Sequence, residues 1–349
     1  MRIGITADVH LAPQGSHPER RSTLDLLLED LEKRGITHLI IAGDLFHSDC
    51  GSYTGFEETS RSHSGVNITV IPGNHDPYIS GSAVVGDNLN IIDSVRPERI
   101  GETDFVFVPY ESGSGMADRL GEMQLNHRWV LVGHGDYIGG TRRRNPYESG
   151  IYMPLYRKDI NRFRPWRVFL GHIHTPCSMN NVFYPGSPCG MNINETGRRR
   201  YLIFDTSTGS VESMTVKSQL LFFKKNFLVL PDDNEIHRLC RQANACIAGW
   251  SLTEDEKNKA RIRITVSGYS RDREAVRDCL AEVFDGFVFN DDSGPDLSSL
   301  KLTRDSRRDS VAKRALELIE EMAWNFGGVE PSKDKVIEKA LETVYGEGG

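Results

Sequence analysis

The first part of the chain alternates short apolar runs with a longer amphipathic stretch. Arg2–Thr6 and His38–Ala42 have the apolar content of buried strands. Between them, four leucines recur at the i, i+3, i+4, i+7 spacing of one helix face: Leu24, Leu27, Leu28 and Leu31. Gly35 stands where a helix C-terminal cap belongs. This strand, helix, strand order predicts a layered α/β sheet.

More strands are predicted from further short apolar runs, which are 67–71, 105–109, 129–133 and 167–170. The runs 201–205 and 211–216 flank a turn at 207–210 and predict a closing hairpin. The stretch 50–65 is polar and interrupted by glycines, so its helix content stays open. A first domain is therefore expected over residues 1–217.

The second half of the chain has its own alternation of elements. Strands are predicted at 222–230, 261–266 and 287–289, and helices at 232–247 and 271–284, which together form a small α/β domain over 218–297. A stretch rich in Ser, Gly, Pro and Asp at 291–299 is predicted to be a linker. Two amphipathic helices, 307–326 and 332–345, follow it in a C-terminal segment over 298–349.

Polar side chains of the kinds that bind metals follow five predicted strands. They occur in the motifs DVH (Asp8, His10), GDLFH (Asp44, His47), GNHD (Asn74, His75, Asp76), GHGD (His134) and GHIH (His172, His174). A single histidine or Gly-Asp pair in such a place is usually an ordinary loop or turn. Because the carboxyl ends of parallel strands meet at one edge of a sheet, five such loops in succession predict one shared site.

This order of motifs resembles that of the calcineurin-like metallophosphoesterase family, whose pattern is D-x-H, G-D, G-N-H-D, G-H and G-H-x-H. The resemblance implies an α/β fold in which a layered β-sandwich is flanked by helices. It also implies two divalent metal ions with Asp44 as the bridging ligand. One ion would take Asp8, His10, Asp44 and His174, and the other Asp44, Asn74, His134 and His172.

Two adjacent divalent ions make hydroxide available near neutral pH and neutralise phosphate oxygens. In the resemblance, His75 is not a ligand but faces the departing oxygen, with Asp76 orienting its ring. An imidazole suits proton donation because its pKa lies near physiological pH. Mixed imidazole, carboxylate and amide ligands suit manganese, iron or zinc, and the resemblance favours manganese.

Three stretches narrow the resemblance to SbcD-type nucleases. They are GDLFH with His47, YMPLYRKDI at 152–160 and YPGSP at 184–188. The resemblance implies a DNA exonuclease and endonuclease in double-strand-break repair and recombination. It also implies a nuclease domain followed by a smaller α/β capping domain and C-terminal helices. The protein would be a homodimer whose C-terminal helices dock on an SbcC-like SMC-type ATPase, with His47 placing the DNA strand. A phosphoesterase acting on nucleotides or phosphoproteins, and a noncatalytic scaffold, remain as alternatives.

Charge and composition add local rather than global signals. The formal net charge is −7 and the pI is near 5.9, so DNA affinity has to come from local groups. Arg142, Arg143 and Arg144, in the loop 139–150, are the predicted DNA contacts. The basic run 198–200 is expected to be a solvated turn.

Cysteine usage and hydropathy give the expected compartment. Six cysteines without C-x-x-C spacing argue against a disulfide framework and favour a reduced interior. The N-terminus leads directly into a strand, and no run of about 18 apolar residues occurs. A cytoplasmic protein with no membrane partner is therefore expected.

Overall fold

A computed structural model describes residues 1–13, 15–121, 123, 125, 127–139, 150–231, 233–291, 294–303, 306–322 and 333–345. These residues divide into two compact units, 1–191 with 198–221 and 192–197 with 222–349. The predicted capping segment and the C-terminal helices thus fall in one unit. Within the described ranges, no helix is both long and apolar enough to cross a bilayer.

Unit 1 contains two six-stranded sheets and four helices among its described residues. In chain order its elements are β1 (Arg2–Thr6), α1 (Pro18–Lys33), β2 (His38–Ala42), α2 (Thr54–Ser62), β3 (Asn67–Ile71), β4 (Leu89–Ile91), β5 (Arg96–Ile100), β6 (Thr103–Val108), α3 (Met116–Leu120), β7 (Trp129–His134), β8 (Tyr137–Ile138), β9 (Leu155–Tyr156), α4 (Arg157–Phe163), β10 (Arg167–Gly171), β11 (Cys177–Met179), β12 (Val182–Tyr184), β13 (Arg200–Asp205) and β14 (Val211–Thr215). The first sheet has the order β14-β13-β1-β2-β3-β4 and the second β11-β12-β10-β7-β6-β5.

Both sheets have a parallel centre, and they pack face to face as a sandwich. β1, β2 and β3 run parallel in the first sheet, and β6, β7 and β10 in the second. The layer between them is apolar and includes Ile3, Ile5, Ile40, Phe105, Phe107, Val130, Val132 and Phe169. Because successive side chains of a strand point to opposite faces, Leu39 and Ile41 of β2 lie on the other side of the first sheet. The expected layered β-sandwich is confirmed.

The outer face of the first sheet is covered by α1. Leu24, Leu27, Leu28 and Leu31 are all fully buried there, as their spacing predicts. Gly35 follows with a φ of 67°, in the left-handed region that favours glycine. The open stretch 50–65 contains α2, which buries Phe56 in the same cluster. The predicted hairpin is confirmed as the antiparallel pair β13 and β14.

Unit 2 is a small α/β body. Its elements are β15 (Leu221–Val229), α5 (Glu235–Trp250), α6 (Glu254–Lys259), β16 (Ala260–Ser270), α7 (Arg273–Val283), β17 (Val288–Phe289), β18 (Asp296–Leu302), α8 (Ser306–Glu321) and α9 (Lys333–Tyr345). The linker prediction is wrong for 296–299, which belong to β18 and pair with β16. Leu297 and Leu300 are buried, and two apolar positions were too few to outweigh the polar composition of this stretch.

The C-terminal helices have two apolar faces with different environments. Ala312 and Ile319 of α8 pack with Ile337 and Leu341 of α9 and with Tyr269 of β16. Three other apolar side chains remain exposed, namely Val311 (58%), Leu318 (49%) and Met322 (50%). The helix pair is thus part of the hydrophobic core of unit 2 and also presents an exposed apolar row.

One pair of cysteines departs from the expectation that the thiols would be unpaired. Cys240 of α5 and Cys279 of α7 form a disulfide, with their Cα atoms 6.0 Å apart. The pair was not visible in the sequence because 39 residues separate its members and only helix packing brings them together. Among the described residues, Cys50, Cys189 and Cys246 form no disulfide.

Candidate metal centre

The loops that carry the predicted ligands contain strained backbone. Asp8, His10, Asp44 and His172 all have positive φ, between 50° and 92°. Such conformations cost free energy for residues other than glycine and persist where the surroundings impose them. Two main-chain bonds fix the first pair of loops against each other, because Asp8 N donates to Gly43 O at 3.0 Å and His10 N donates to Asp44 O at 3.0 Å.

The loops of both sheets converge on Asp8. The ligand atoms of Asp8, His10 and His174 lie within 4.8 Å of one another. Asp8 Oδ1 also accepts a hydrogen bond of 2.8 Å from the main-chain N–H of His172. Asp8 and His10 come from the first sheet and His174 from the second, so this group joins the two halves of the sandwich.

Asp44 lies between this group and a second one. Its Oδ2 is 3.5 Å from His10 Nε2 and 3.3 Å from His134 Nε2. Its Oδ1 accepts a hydrogen bond of 2.8 Å from the main-chain N–H of His75. A carboxylate placed between two imidazoles of different groups has the position that a bridging ligand requires.

Asn74 completes the second group. Its Oδ1 lies 2.9 Å from His134 Nε2 and 3.2 Å from His172 Nδ1. His134 is fixed from behind, since its Nδ1 is 2.9 Å from Ala42 O. The structure thus brings all seven predicted ligands into one cluster, although their strands belong to two sheets rather than one.

Two buried atoms of the cluster test whether a cation fits. Asp8 Oδ2 and His10 Nε2 are buried without a hydrogen-bond partner among the described residues. An unsatisfied buried polar group costs about 1–3 kcal/mol, and more when it is charged. A metal ion would satisfy both atoms, so the donor set fits divalent cations.

The pKa values show how strongly these groups interact. Burial raises the pKa of Asp8 to about 6, against the opposing charges of His174 and His134. Burial would also raise the pKa of Asp44, but the charge and hydrogen bond of His134 hold it well below its usual range. The pKa of His134 rises to about 10, because the attraction of Asp44 outweighs burial. Since a ligand imidazole must be neutral, binding of a cation here would release protons.

His75 and His47 lie at the border of the cluster. The centroid of the His75 ring is 4.7 Å from that of the His10 ring. The His75 ring also stacks on the His47 ring, with their centroids 5.4 Å apart. His47 Nδ1 is 3.4 Å from His10 Nδ1. The nitrogen atoms of these three histidines also lie within 4.8 Å of one another. The predicted catalytic residue His75 thus lies within ligand distance of His10 and His47.

Asp76 holds the loop that carries Asn74 and His75. Its Oδ1 accepts the Gly73 N–H at 2.7 Å and its Oδ2 accepts the Phe46 N–H at 3.0 Å. Burial, with the charge of Asp44, raises its pKa to about 7. The predicted orientation of the His75 ring by Asp76 stays a prediction.

Two tyrosines that the sequence did not single out stand beside the cluster. The Tyr152 ring lies 4.7 Å from that of His172, and the Tyr110 ring lies 6.3 Å from that of His134. Both line a cavity of about 680 Å³ that also includes Lys158 and Arg162. The only earlier signal was that Tyr152 begins the YMPLYRKDI stretch. The predicted DNA contacts Arg142, Arg143 and Arg144 lie outside the described residues.

Two curated proteins and two solved structures are similar to part of this chain. The chain is 24% identical to the SbcD component of the SbcCD nuclease of Escherichia coli K12, over 61% of this chain and 67% of that protein, and equally to the one of strain O157:H7. It also resembles the solved structure of an archaeal phosphodiesterase, with 16% identity over 62% of this chain and 99% of that chain and a TM-score of 0.32. A second similar structure is that of a purple acid phosphatase from yellow lupin, with 13% identity over 62% of this chain and 53% of that chain and a TM-score of 0.36.

The family comparison covers most of unit 1. Residues 1–204 match the family model described as calcineurin-like phosphoesterase. That range contains every residue of the cluster described above, and members of this family bind two divalent metals. The chain therefore belongs to the calcineurin-like phosphoesterase family.

Proposed function

We propose that this chain hydrolyses phosphodiester bonds of DNA with two divalent ions, most readily Mn²⁺, held by the seven clustered side chains. The observation that carries the proposal is the place of Asp44, whose Oδ2 lies 3.5 Å from His10 Nε2 and 3.3 Å from His134 Nε2. One carboxylate shared by two imidazole groups suits a pair of ions better than a single one. Asp8, His10 and His174 would complete one site, and Asn74, His134 and His172 the other.

When bound, such an ion pair supplies hydroxide near neutral pH and neutralises the phosphate oxygens. The chain's own residues do the rest. The main-chain N–H of His75 holds Asp44 through its Oδ1, so the bridging carboxylate keeps its orientation. The His75 imidazole, beside His10 and His47, protonates the departing oxygen of the DNA strand. His47 places the strand next to His75.

The diester assignment is supported by the cavity beside the cluster. A phosphate diester carries an organic group on each side, and Tyr110 and Tyr152 offer aromatic surface between the cavity and His134 and His172. Aromatic side chains stack on nucleobases of any sequence. The similarity to the SbcD component of the SbcCD nuclease favours DNA over nucleotides or phosphoproteins.

The deciding experiment is digestion of linear and hairpin DNA by the purified chain with Mn²⁺. A phosphopeptide and a mononucleotide serve as competing substrates, and Asp44→Asn serves as the inactive control. We expect Mn²⁺-dependent cleavage of DNA and loss of that cleavage in Asp44→Asn. Cleavage of the phosphopeptide or mononucleotide with DNA left intact would favour the alternative phosphoesterase function.

We further propose that α8 docks on an SbcC-like SMC-type ATPase and that the nuclease works as a homodimer in double-strand-break repair. The exposed row Val311, Leu318 and Met322 supports the docking surface, because apolar side chains at helical spacing favour a partner groove. Leu318→Glu should abolish co-purification with such an ATPase, whereas Lys313→Glu, on another face of α8, should not. Equal binding by both variants would contradict the docking surface.

A further inference from the structure

Arg199 lies buried behind the second histidine of the GHIH motif. Its side chain is 3% exposed, so the expectation of a solvated turn at 198–200 is wrong at this residue. Its Nε donates to Ser187 O at 2.9 Å, and its Nη2 donates to Ser187 Oγ at 2.6 Å and to His174 O. A guanidinium thus connects the main chain of a predicted metal ligand to the YPGSP stretch.

Ser187 holds the same carbonyl from a second direction. Its main-chain N–H donates to His174 O at 3.1 Å. The preceding Gly186 has a φ of 74°, and a Cβ at this position would collide with His174 O. The close approach therefore depends on glycine, and it lets the main chain of YPGSP reach the GHIH loop.

The GHIH loop is consequently fixed at both histidines. At its start, the N–H of His172 donates to Asp8 Oδ1 at 2.8 Å. At its end, Ser187 and Arg199 hold the carbonyl of His174, and neither of them is a predicted ligand. The main-chain position of His174 determines where its imidazole meets Asp8 and His10.

We propose that Arg199 is a positioning residue that sets the affinity of the metal position served by His174. The proposal rests on the dimetal function proposed above. Arginine is needed because its planar fork directs Nε and Nη2 to two acceptors at fixed angles. Lysine keeps the positive charge but offers one nitrogen on a flexible stem, so it cannot hold Ser187 O and His174 O in the same geometry.

Mn²⁺ binding to the full chain, measured by calorimetry and by electron paramagnetic resonance without substrate, tests the proposal. In Arg199→Lys, one of the two ions should bind about 10- to 100-fold more weakly, the range found when groups behind metal ligands are replaced. The other ion should keep its affinity. Nuclease activity should return as the Mn²⁺ concentration rises. Arg200→Lys is the matched control, because this neighbouring side chain is exposed and contacts Ser213 Oγ instead.

A second variant covers the case in which Arg199→Lys does not fold. Ser187→Ala removes the hydroxyl acceptor of Arg199 but leaves the main-chain bonds, and it should weaken the same ion by about 2- to 10-fold, the equivalent of one hydrogen bond. Unchanged binding of both ions in the folded variants would overturn the proposal. Equal weakening of both ions, with a lower unfolding temperature in chelator, would also overturn it in favour of a purely structural role.

The same measurements separate this inference from the proposed function. A parent chain that binds two Mn²⁺ ions but cleaves no DNA would refute the nuclease, while a selective shift in Arg199→Lys would still support the positioning role. A parent chain that binds fewer than two ions would refute both.

Discussion

Replacing His75 by asparagine tests whether this residue acts as a proton donor or as a metal ligand. The bond that holds Asp44 comes from the main-chain N–H of His75, so it survives the substitution. The imidazole contacts with the His10 and His47 rings, at 4.7 and 5.4 Å, are among those that the substitution removes. Both ions should therefore still bind. The rate of DNA cleavage should fall by about 10² to 10⁴, the usual contribution of general acid catalysis, or about 3–5 kcal/mol in the barrier.

The assay compares two substrates at saturating Mn²⁺. The leaving group of DNA is an alkoxide, which needs a proton. The leaving group of a p-nitrophenyl phosphodiester is p-nitrophenolate, which is stable without one. A general acid predicts a large loss on DNA and a much smaller loss on the p-nitrophenyl ester. Calorimetry of Mn²⁺ binding is the accompanying control. Loss of one ion would show that His75 is a ligand, as its grouping with His10 and His47 permits, and a DNA cleavage rate near that of the parent would show that it has neither role.

Two further predictions concern the framework of unit 1. In Gly171→Ala the new Cβ would collide with Ala42 O and the His134 ring. We therefore expect the free energy of unfolding, measured in urea, to fall by about 1–3 kcal/mol from overpacking, and Mn²⁺ binding, measured by calorimetry, to weaken. Unchanged stability and affinity would contradict the packing argument. Asp205 has a pKa of about 2, because the Ser207 hydroxyl and the N–H groups of Thr208 and Ser207 donate to it. A depressed folded-state pKa contributes stability that is fully present above about pH 4 and is lost as the pH falls toward about 2. The difference in free energy of unfolding between the parent and Asp205→Asn should therefore become smaller over that interval. A difference that stays constant with pH would refute this prediction.

The strand-end motifs were predictable because the apolar run of the strand and the polar side chains of the loop after it are both visible in the local sequence. A buried parallel strand is a short apolar run, and a loop that leaves it toward a site needs polar side chains within a few residues. β2, with Asp44 two residues after its end, shows both signals clearly. The distribution of these strands over two sheets could not be predicted from the pattern, because β1 and β7 are both short buried strands and nothing local says which neighbour each one pairs with.

The parts that escaped prediction depend on contacts between distant segments. Arg199 has the sequence neighbourhood of a solvated turn, and only its approach to Ser187 and His174 buries it. β18 was missed because its polar residues are accommodated by pairing with β16, which composition does not reveal. Cys240 and Cys279 meet because α5 packs on α7. Tertiary contact overrides local preference at each of these places.

The origin of the ligands in both sheets gives the hydrophobic layer of the sandwich a second role. Each proposed ion takes ligands from both sides of that layer, since Asp44 comes from the first sheet and His134 and His174 from the second. Ile40, Phe107 and Val132 fill the space between the sheets, and their volumes set the distance between the proposed ligands of the first sheet and those of the second. The thickness of this hydrophobic layer therefore affects the geometry of the proposed catalytic site, even though its side chains never touch a substrate.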